Sequence, residues 1–343
     1  MATGRLTGRL DELDARQQRS PWLGFPYAVY QKFQDDQAGN LASLLAYYAF
    51  FSIFPLLLVL VTVLGFALHG DPQLESRVFN GALGLFPIIG QSSPVHPLTG
   101  SVPALVIGSV LALYSGLAVA QQAQSAFNTA YAVPRNAWPG FLPRTLRSIA
   151  AVAVAGTGFI ASTLLSGAIT GAGSYGLDLG VGLRIIAAAV AVAVNALLFA
   201  AVFRFLTERD LTWRDTLPGA CLAAVGWYAL QLLGTALVAH QLKGAQGTYG
   251  TFATVIGLLS FFHLQAQLTL YAVEVNVVRT EALWPRSLRS LQNQPRTAAD
   301  RRSYRRYAER NRYAPPAQQQ VSVTFDRPDD ADQPGPTPGP RSG

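Results

Sequence analysis

Charge and sulfur are scarce in this chain. Only 13% of its 343 residues are charged, where a soluble domain typically carries about a quarter. The single cysteine, Cys221, excludes an intramolecular disulfide framework and a cysteine-built zinc cluster. Four histidines, His69, His96, His240 and His263, are too scattered to supply a histidine metal site. No metal and no cofactor is therefore expected. Residues Met1 to Ser20 also lack an apolar core followed by a small-residue cleavage site, so no cleavable signal peptide is expected.

Apolar sequence is abundant, at 50% of residues. Six stretches approach the length of about 20 residues that crosses bilayer hydrocarbon. They run from Leu44 to Leu68, Ser101 to Phe127, Ser148 to Thr170, Val181 to Leu206, Leu217 to His240 and Thr251 to Arg279. The expected fold class is all-α, a six-helix transmembrane bundle. Arginine and lysine orient it. Arg5, Arg9, Arg16, Arg19, Lys32, Arg135, Arg144, Arg147, Arg204, Arg209, Arg214 and the arginine-rich C-terminal tail would share one side, against Arg77, Arg184 and Lys243 on the other. By the positive-inside rule both termini are cytoplasmic, as six spans also require.

The chain divides into three regions. Residues 1–40 form an N-terminal cytoplasmic segment, in which Trp22, Phe25, Val29 and Phe33 recur at helical spacing and suggest a short interfacial helix. Residues 41–283 hold the spans. A long external loop, His69 to Gly100, carries Leu74, Val78 and Leu85 at spacing suited to a short amphipathic helix. Small residues in the third span, including Gly156, Gly158 and Ser162, suit close helix packing. Residues 284–343 are basic and then proline-rich, a composition that predicts a disordered cytoplasmic tail. Its Arg301, Arg302, Arg305 and Arg306 would bind anionic phospholipid headgroups at about 1 kcal/mol each. Tyr304, Tyr307 and Tyr313 interleave with the arginines and would also permit nucleic-acid contact, but a topology signal is the more economical account. Membrane lipids are the expected partners. The sequence does not specify the oligomeric state.

The last span carries the most polar chemistry. His263, Gln267 and Glu274 fall on one helical stripe, with Gln265, Thr269 and Asn276 nearly opposite. Neither stripe can face lipid cheaply, so this helix is expected at the buried centre of the bundle. Judged from the span limits, Tyr48, Ser52, Pro55, Asn195 and Gln231 complete a polar set along a substrate pathway. Interhelical hydrogen bonding is the bland alternative for the same residues. Pro55 removes a backbone donor and frees the carbonyl of Phe51. His263 could exchange a proton near neutral pH, or be a neutral core histidine. Glu274, the one acidic residue inside a span, would pair with Arg279 or Arg204, or act as a gate.

Four segments carry a family resemblance. They are NLASLLAYYAFFSIFPLLLVLVTVLG from Asn40, SGLAVAQQAQSAFNTAYAVPR from Ser115, WRDTLPGACLAAVGWYALQ from Trp213 and TYGTFATVIGLLSFFHLQAQLTLYAVEVN from Thr248. In that order the chain resembles the YihY/BrkB family of bacterial inner-membrane proteins, over about Pro26 to Leu283. The resemblance implies six membrane helices and a link to envelope integrity and lipid or lipopolysaccharide handling. It assigns Tyr249, Gly250, Glu274 and Asn276 to shared architecture, whereas His263, Gln265 and Gln267 lie where similar proteins are more apolar. The leading expectation is a non-enzymatic inner-membrane transporter or translocase of lipid-like or small polar substrates, with no catalytic residues. The alternative is a structural envelope protein whose basic tail binds anionic lipid or a partner. A membrane ribonuclease, an old label in the family, lacks the clustered His, Asp or Glu ligands that metal-dependent hydrolysis needs.

Overall fold

The apolar stretches fold as long helices. The structure, a computed structural model, describes residues 12–67, 102–174, 181–245, 250–288 and 297–325. A helical segment at residues 12–19 leads into α1 (Pro21–Asp35), succeeded by α2 (Ala38–Ala67), α3 (Val102–Ala130), α4 (Phe141–Ser174), α5 (Val181–Leu206), α6 (Trp213–Ala245), α7 (Gly250–Thr280) and α8 (Ala298–Arg310). No strand occurs among the described residues. At 1.5 Å per residue, α2 to α7 are each about 39 Å or longer, enough to cross a bilayer. Val106–Ala130, Ala189–Leu206 and Val255–Thr280 are both long and apolar enough to do so, and Ala38–Ile53 is a shorter apolar stretch. Leu44, Tyr47, Phe51, Val106, Ile107 and Val110 are exposed on the outer faces of α2 and α3. Apolar surface of that extent suits lipid rather than water. The loop from His69 to Gly100 lies outside the described residues, as does most of the small-residue pattern after Gly158.

Local chemistry sets the helix ends. Pro21 opens α1, where a missing amide is harmless. The chain turns from α1 into α2 through Gln37, whose φ is 52°. At the start of α6, Asp215 accepts hydrogen bonds from both the backbone amide and the hydroxyl of Thr212. Helix α8 opens with a reciprocal cap between Thr297 and Asp300.

Small residues hold the core close. Ala126, Ala130, Ala200, Ala220, Ala223 and Ala272 are buried alongside Phe127, Phe203, Leu270, Val273, Val277 and Val278. Phe127 and Phe203 meet edge to face at 5.4 Å between ring centres. A Cβ built on Gly219 would stand 2.0 Å from the carbonyl oxygen of Ala272, so only glycine permits this approach of α6 to α7.

One end of the bundle is tied across many elements. Arg147 at the start of α4 pairs with Glu208, whose amide donates to Asn128 of α3 at 2.8 Å. Arg209 bridges to Glu281 beyond α7 at 2.6 Å. Arg306 of α8 pairs with the same Glu281 and donates to the carbonyl of Tyr131 at 2.8 Å. The loops after α3, α5 and α7 and the starts of α4 and α6 therefore gather at a single end.

Two expectations are corrected by this arrangement. The apolar stripe of α1 was expected on lipid, but its second half faces the bundle while its first residue, Trp22, is exposed: Val29 and Phe33 are buried, and Phe33 stacks on Tyr271 of α7 at 3.9 Å between ring centres. Trp22, Pro26 and Tyr30 are exposed instead. Composition also predicts disorder from residue 284 onward, yet α8 is a capped helix anchored by ion pairs to the N-terminal region. Residues after Phe325 lie outside the described part.

Candidate functional site

Helix α7 has two differently built halves. Towards its C-terminal end it is enclosed: Leu270, Ala272, Val273, Glu274, Asn276, Val277 and Val278 are all buried. In its first half Val255, Ile256, Leu259 and Leu264 are exposed. The expectation of a buried helix thus holds on all sides only in the second half; in the first half it holds for the face carrying Leu258 and Phe261.

The enclosed half contains an ionic cluster. Glu274, with 0% of its surface exposed, sits 3.4 Å from the ammonium of Lys32 on α1. Lys32 also pairs with Asp36 and donates to the carbonyl of Ala130 at 2.9 Å. Asp36 accepts in turn from Arg310 at 2.7 Å, and the ring of Tyr307 lies 5.4 Å from the Lys32 nitrogen. Among the described residues neither oxygen of Glu274 has a hydrogen-bond partner within ordinary geometry, so charge and enclosure hold it in place. The cationic neighbour differs from those expected. Arg279 donates to a carbonyl and Arg204 lies over the ring of Trp213. An α1 residue was missed because nothing in local spacing links it to Glu274, more than 200 positions away.

A second layer of ion pairs surrounds the first. Arg286, fully buried, donates to Asp35 at 2.6 Å and to Asp300 at 3.1 Å. Burial works against its charge, but Tyr307, Asp35 and Asp300 outweigh that and hold the guanidinium above its ordinary value. Tyr307 donates to Asp35 at 3.0 Å, and burial, then Asp36 and Asp35, keep its phenol well above the usual range. Asp14 accepts from the hydroxyl of Ser287 at 2.7 Å and the amide of Leu288 at 2.8 Å. Breaking such a pair from one side leaves a buried charge alone, a cost of about 3–5 kcal/mol.

Asn276 has an equally definite task. Its Oδ1 accepts from the Gly219 amide at 2.7 Å, and its Nδ2 donates to the carbonyl of Thr216 at 3.1 Å. Pro218 deprives the Arg214 carbonyl of its helical donor, and Arg279 supplies one at 3.2 Å. The segments beginning at Trp213 and ending at Asn276 therefore interlock. Asn276 thus joins α7 to α6, as Lys32 joins Glu274 to α1.

The remaining pathway residues lie further along the bundle. An apolar layer joins Ile53 of α2, Leu258 and Phe261 of α7, and the half-buried Phe50, Trp227, Leu230 and Phe262. Ser52, Gln231 and His263 are the immediate chain neighbours of members of this layer, so three of the predicted polar residues come to one level. The Oε1 of Gln265 is buried without a hydrogen-bond partner, while His263 and Gln267 are half-buried and make no hydrogen bond to a described residue. Gln231 is half-buried and partnered. Others turn away. Ser52 donates to Ala49 at 2.8 Å and Asn195 to Ala191 at 2.9 Å, each within its own helix. Tyr48 is exposed against Tyr47, and α2 continues through a half-buried Pro55. Among the described residues no group of three or more His, Cys, Asp or Glu is placed to hold a metal ion.

The expected lipid-binding arginines of the tail are largely engaged with protein. Arg306 pairs with Glu281, and Arg302 donates to the carbonyl of Ala282 at 2.6 Å. Arg305 lies over Phe325 at 5.8 Å, and Arg301 is half-buried.

Known proteins share much of this chain. The family described as virulence factor BrkB matches residues 29–297. The chain is 24% identical over 280 residues to the inner membrane protein YhjD of Escherichia coli strain K12, covering 74% of this chain and 80% of that one. It is 25% identical over 264 residues to an uncharacterised protein of Dickeya dadantii strain 3937, covering 70% and 78% respectively. No solved structure matches.

Proposed function

The chain belongs to the BrkB family, and on that footing we propose that it is a non-enzymatic transporter or translocase of the bacterial inner membrane, moving lipid-like or small polar substrates in envelope maintenance. It crosses the membrane six times with both termini in the cytoplasm, and the tied end of the bundle is the cytoplasmic one. A relative named as an inner membrane protein, together with helices apolar enough to span, supports the location.

The observation that carries the transport reading is the contrast within α7. Glu274 lies 3.4 Å from Lys32 and Asn276 is hydrogen-bonded to α6, whereas among the described residues the Gln265 Oε1 is buried with no hydrogen bond and no ion pair, and His263 and Gln267 make no hydrogen bond. Polar groups left unpaired inside a membrane are costly, and their usual role is to line a route for water or solute. Purified protein in liposomes should therefore move a labelled phospholipid, a lipopolysaccharide precursor or a small anion. Gln265→Ala and Gln267→Ala should slow that movement about ten-fold or more, since each removes about 1–2 kcal/mol of polar contact, while leaving thermal unfolding unchanged. Wild-type liposomes that move none of the three would count against transport and favour a structural envelope protein.

A further inference from the structure

Cations at the tied end differ in their partners. Lys32, Arg147, Arg209, Arg286, Arg306 and Arg310 all meet carboxylates. Arg135 and Arg204 do not. The guanidinium of Arg135 lies 4.1 Å from the ring centre of Trp138, and that of Arg204 lies 5.4 Å from that of Trp213. Both arginines are exposed. Arg214, next to Trp213, is exposed as well, with its carbonyl engaged by Arg279.

The two corners share a construction. One lies between α3 and α4 and adds the exposed Phe141 and Leu142; the other lies between α5 and α6 and adds the exposed Phe205. Trp213 is 45% exposed, so its ring has a face available. Nearby acids are directed elsewhere, Glu208 to Arg147 and Asp215 to Thr212, although Asp210 is exposed on the α5–α6 loop. Depth in the membrane agrees with this arrangement. Arg204 lies in the last turn of the candidate span Ala189–Leu206, and Arg135 five positions beyond the end of Val106–Ala130. A side chain at that level reaches the phosphates of a bilayer leaflet, where tryptophan also settles.

We infer that these corners are two seats for anionic phospholipid headgroups, in which Arg135 and Arg204 take the lipid phosphate and Trp138 and Trp213 hold the guanidinium at the interface. Each arginine donates to a phosphate oxygen while its ring partner covers the opposite face, and Phe141, Leu142 and Phe205 lie against the first methylenes of the acyl chains. This rests on the proposed topology, in which the tied end faces the cytoplasmic leaflet. It places the lipid phosphate at the corners rather than at the tail arginines, of which Arg302 and Arg306 donate to protein carbonyls.

Native mass spectrometry of the full chain in detergent, titrated with phosphatidylglycerol and with phosphatidylcholine, tests it. The wild type should prefer phosphatidylglycerol. Arg135→Gln combined with Arg204→Gln should weaken that lipid about five-fold at each corner, in line with the contribution of one arginine near a charged leaflet, with an unchanged unfolding midpoint. Arg305→Gln should leave the preference intact. Equal binding of both lipids by the wild type overturns the inference, as does a double variant that keeps the preference or loses its fold. An Arg305→Gln variant that matches the double variant returns the site to the tail. Displacement of the lipid by millimolar inorganic phosphate would make the seats general phosphate sites and refute a lipid-specific one. Wild-type protein that shows the preference but moves no substrate would count against transport alone.

Discussion

Gly219 and Asn276 show how much one pair of residues can determine in a membrane bundle. The amide of the first and the side chain of the second hold α6 and α7 together where Pro218 has weakened the helix ladder. Asn276→Ala removes a donor and an acceptor from buried backbone, and should lower stability by about 1–2 kcal/mol. Gly219→Ala should cost more, about 3 kcal/mol, because its Cβ would also stand against the Ala272 carbonyl. The two changes should be less than additive, since the new methyl also meets the Asn276 amide at 2.6 Å. Unfolding midpoints of the two single variants and the double variant in detergent measure this, and strict additivity would refute the coupling.

Helix α8 was the element least legible in the sequence. Seven of its thirteen residues are charged, which locally reads as a solvated or disordered segment. Its partners are Asp35 and Asp36, more than 270 positions earlier, and no window of sequence brings them together. The long helices were legible because apolar length is a local property, three of them apolar enough to cross a membrane, and Asn276 because amides inside an apolar helix demand partners. Glu274 was singled out for its isolation, but its neighbour Lys32 could not be read from spacing. Removing residues after Arg289 is therefore not a neutral truncation: it takes Arg310 from Asp36, Arg306 from Glu281, the Tyr307 hydroxyl from Asp35 and Asp300 from Arg286. A shorter deletion, of the residues after Phe325 alone, removes none of these contacts. The longer deletion should lower the unfolding midpoint by several degrees and the shorter leave it unchanged, as scanning fluorimetry would reveal. Equal midpoints would mean that the ion pairs of α8 contribute nothing measurable.

At the scale of the whole molecule, the tied end predicts the topology. Cys221 is the only native thiol, so a Cys221→Ser background gives a clean host for single cysteines at Leu13 and Phe325. In intact cells neither position should react with an impermeant maleimide, and in inverted membrane vesicles both should. Opposite outcomes for the two positions would rule out an even number of crossings. The ion pairs that join the ends of the chain also have a consequence for its manufacture. Asp14, Asp35 and Asp36 leave the ribosome early, while Ser287, Arg286 and Arg310 emerge 273, 251 and 274 positions later. At cellular rates of synthesis that interval is on the order of tens of seconds. Throughout it, Asp35 lacks the guanidinium of Arg286 and Asp36 has Lys32 alone, so completion of these contacts marks a chain translated past Arg310.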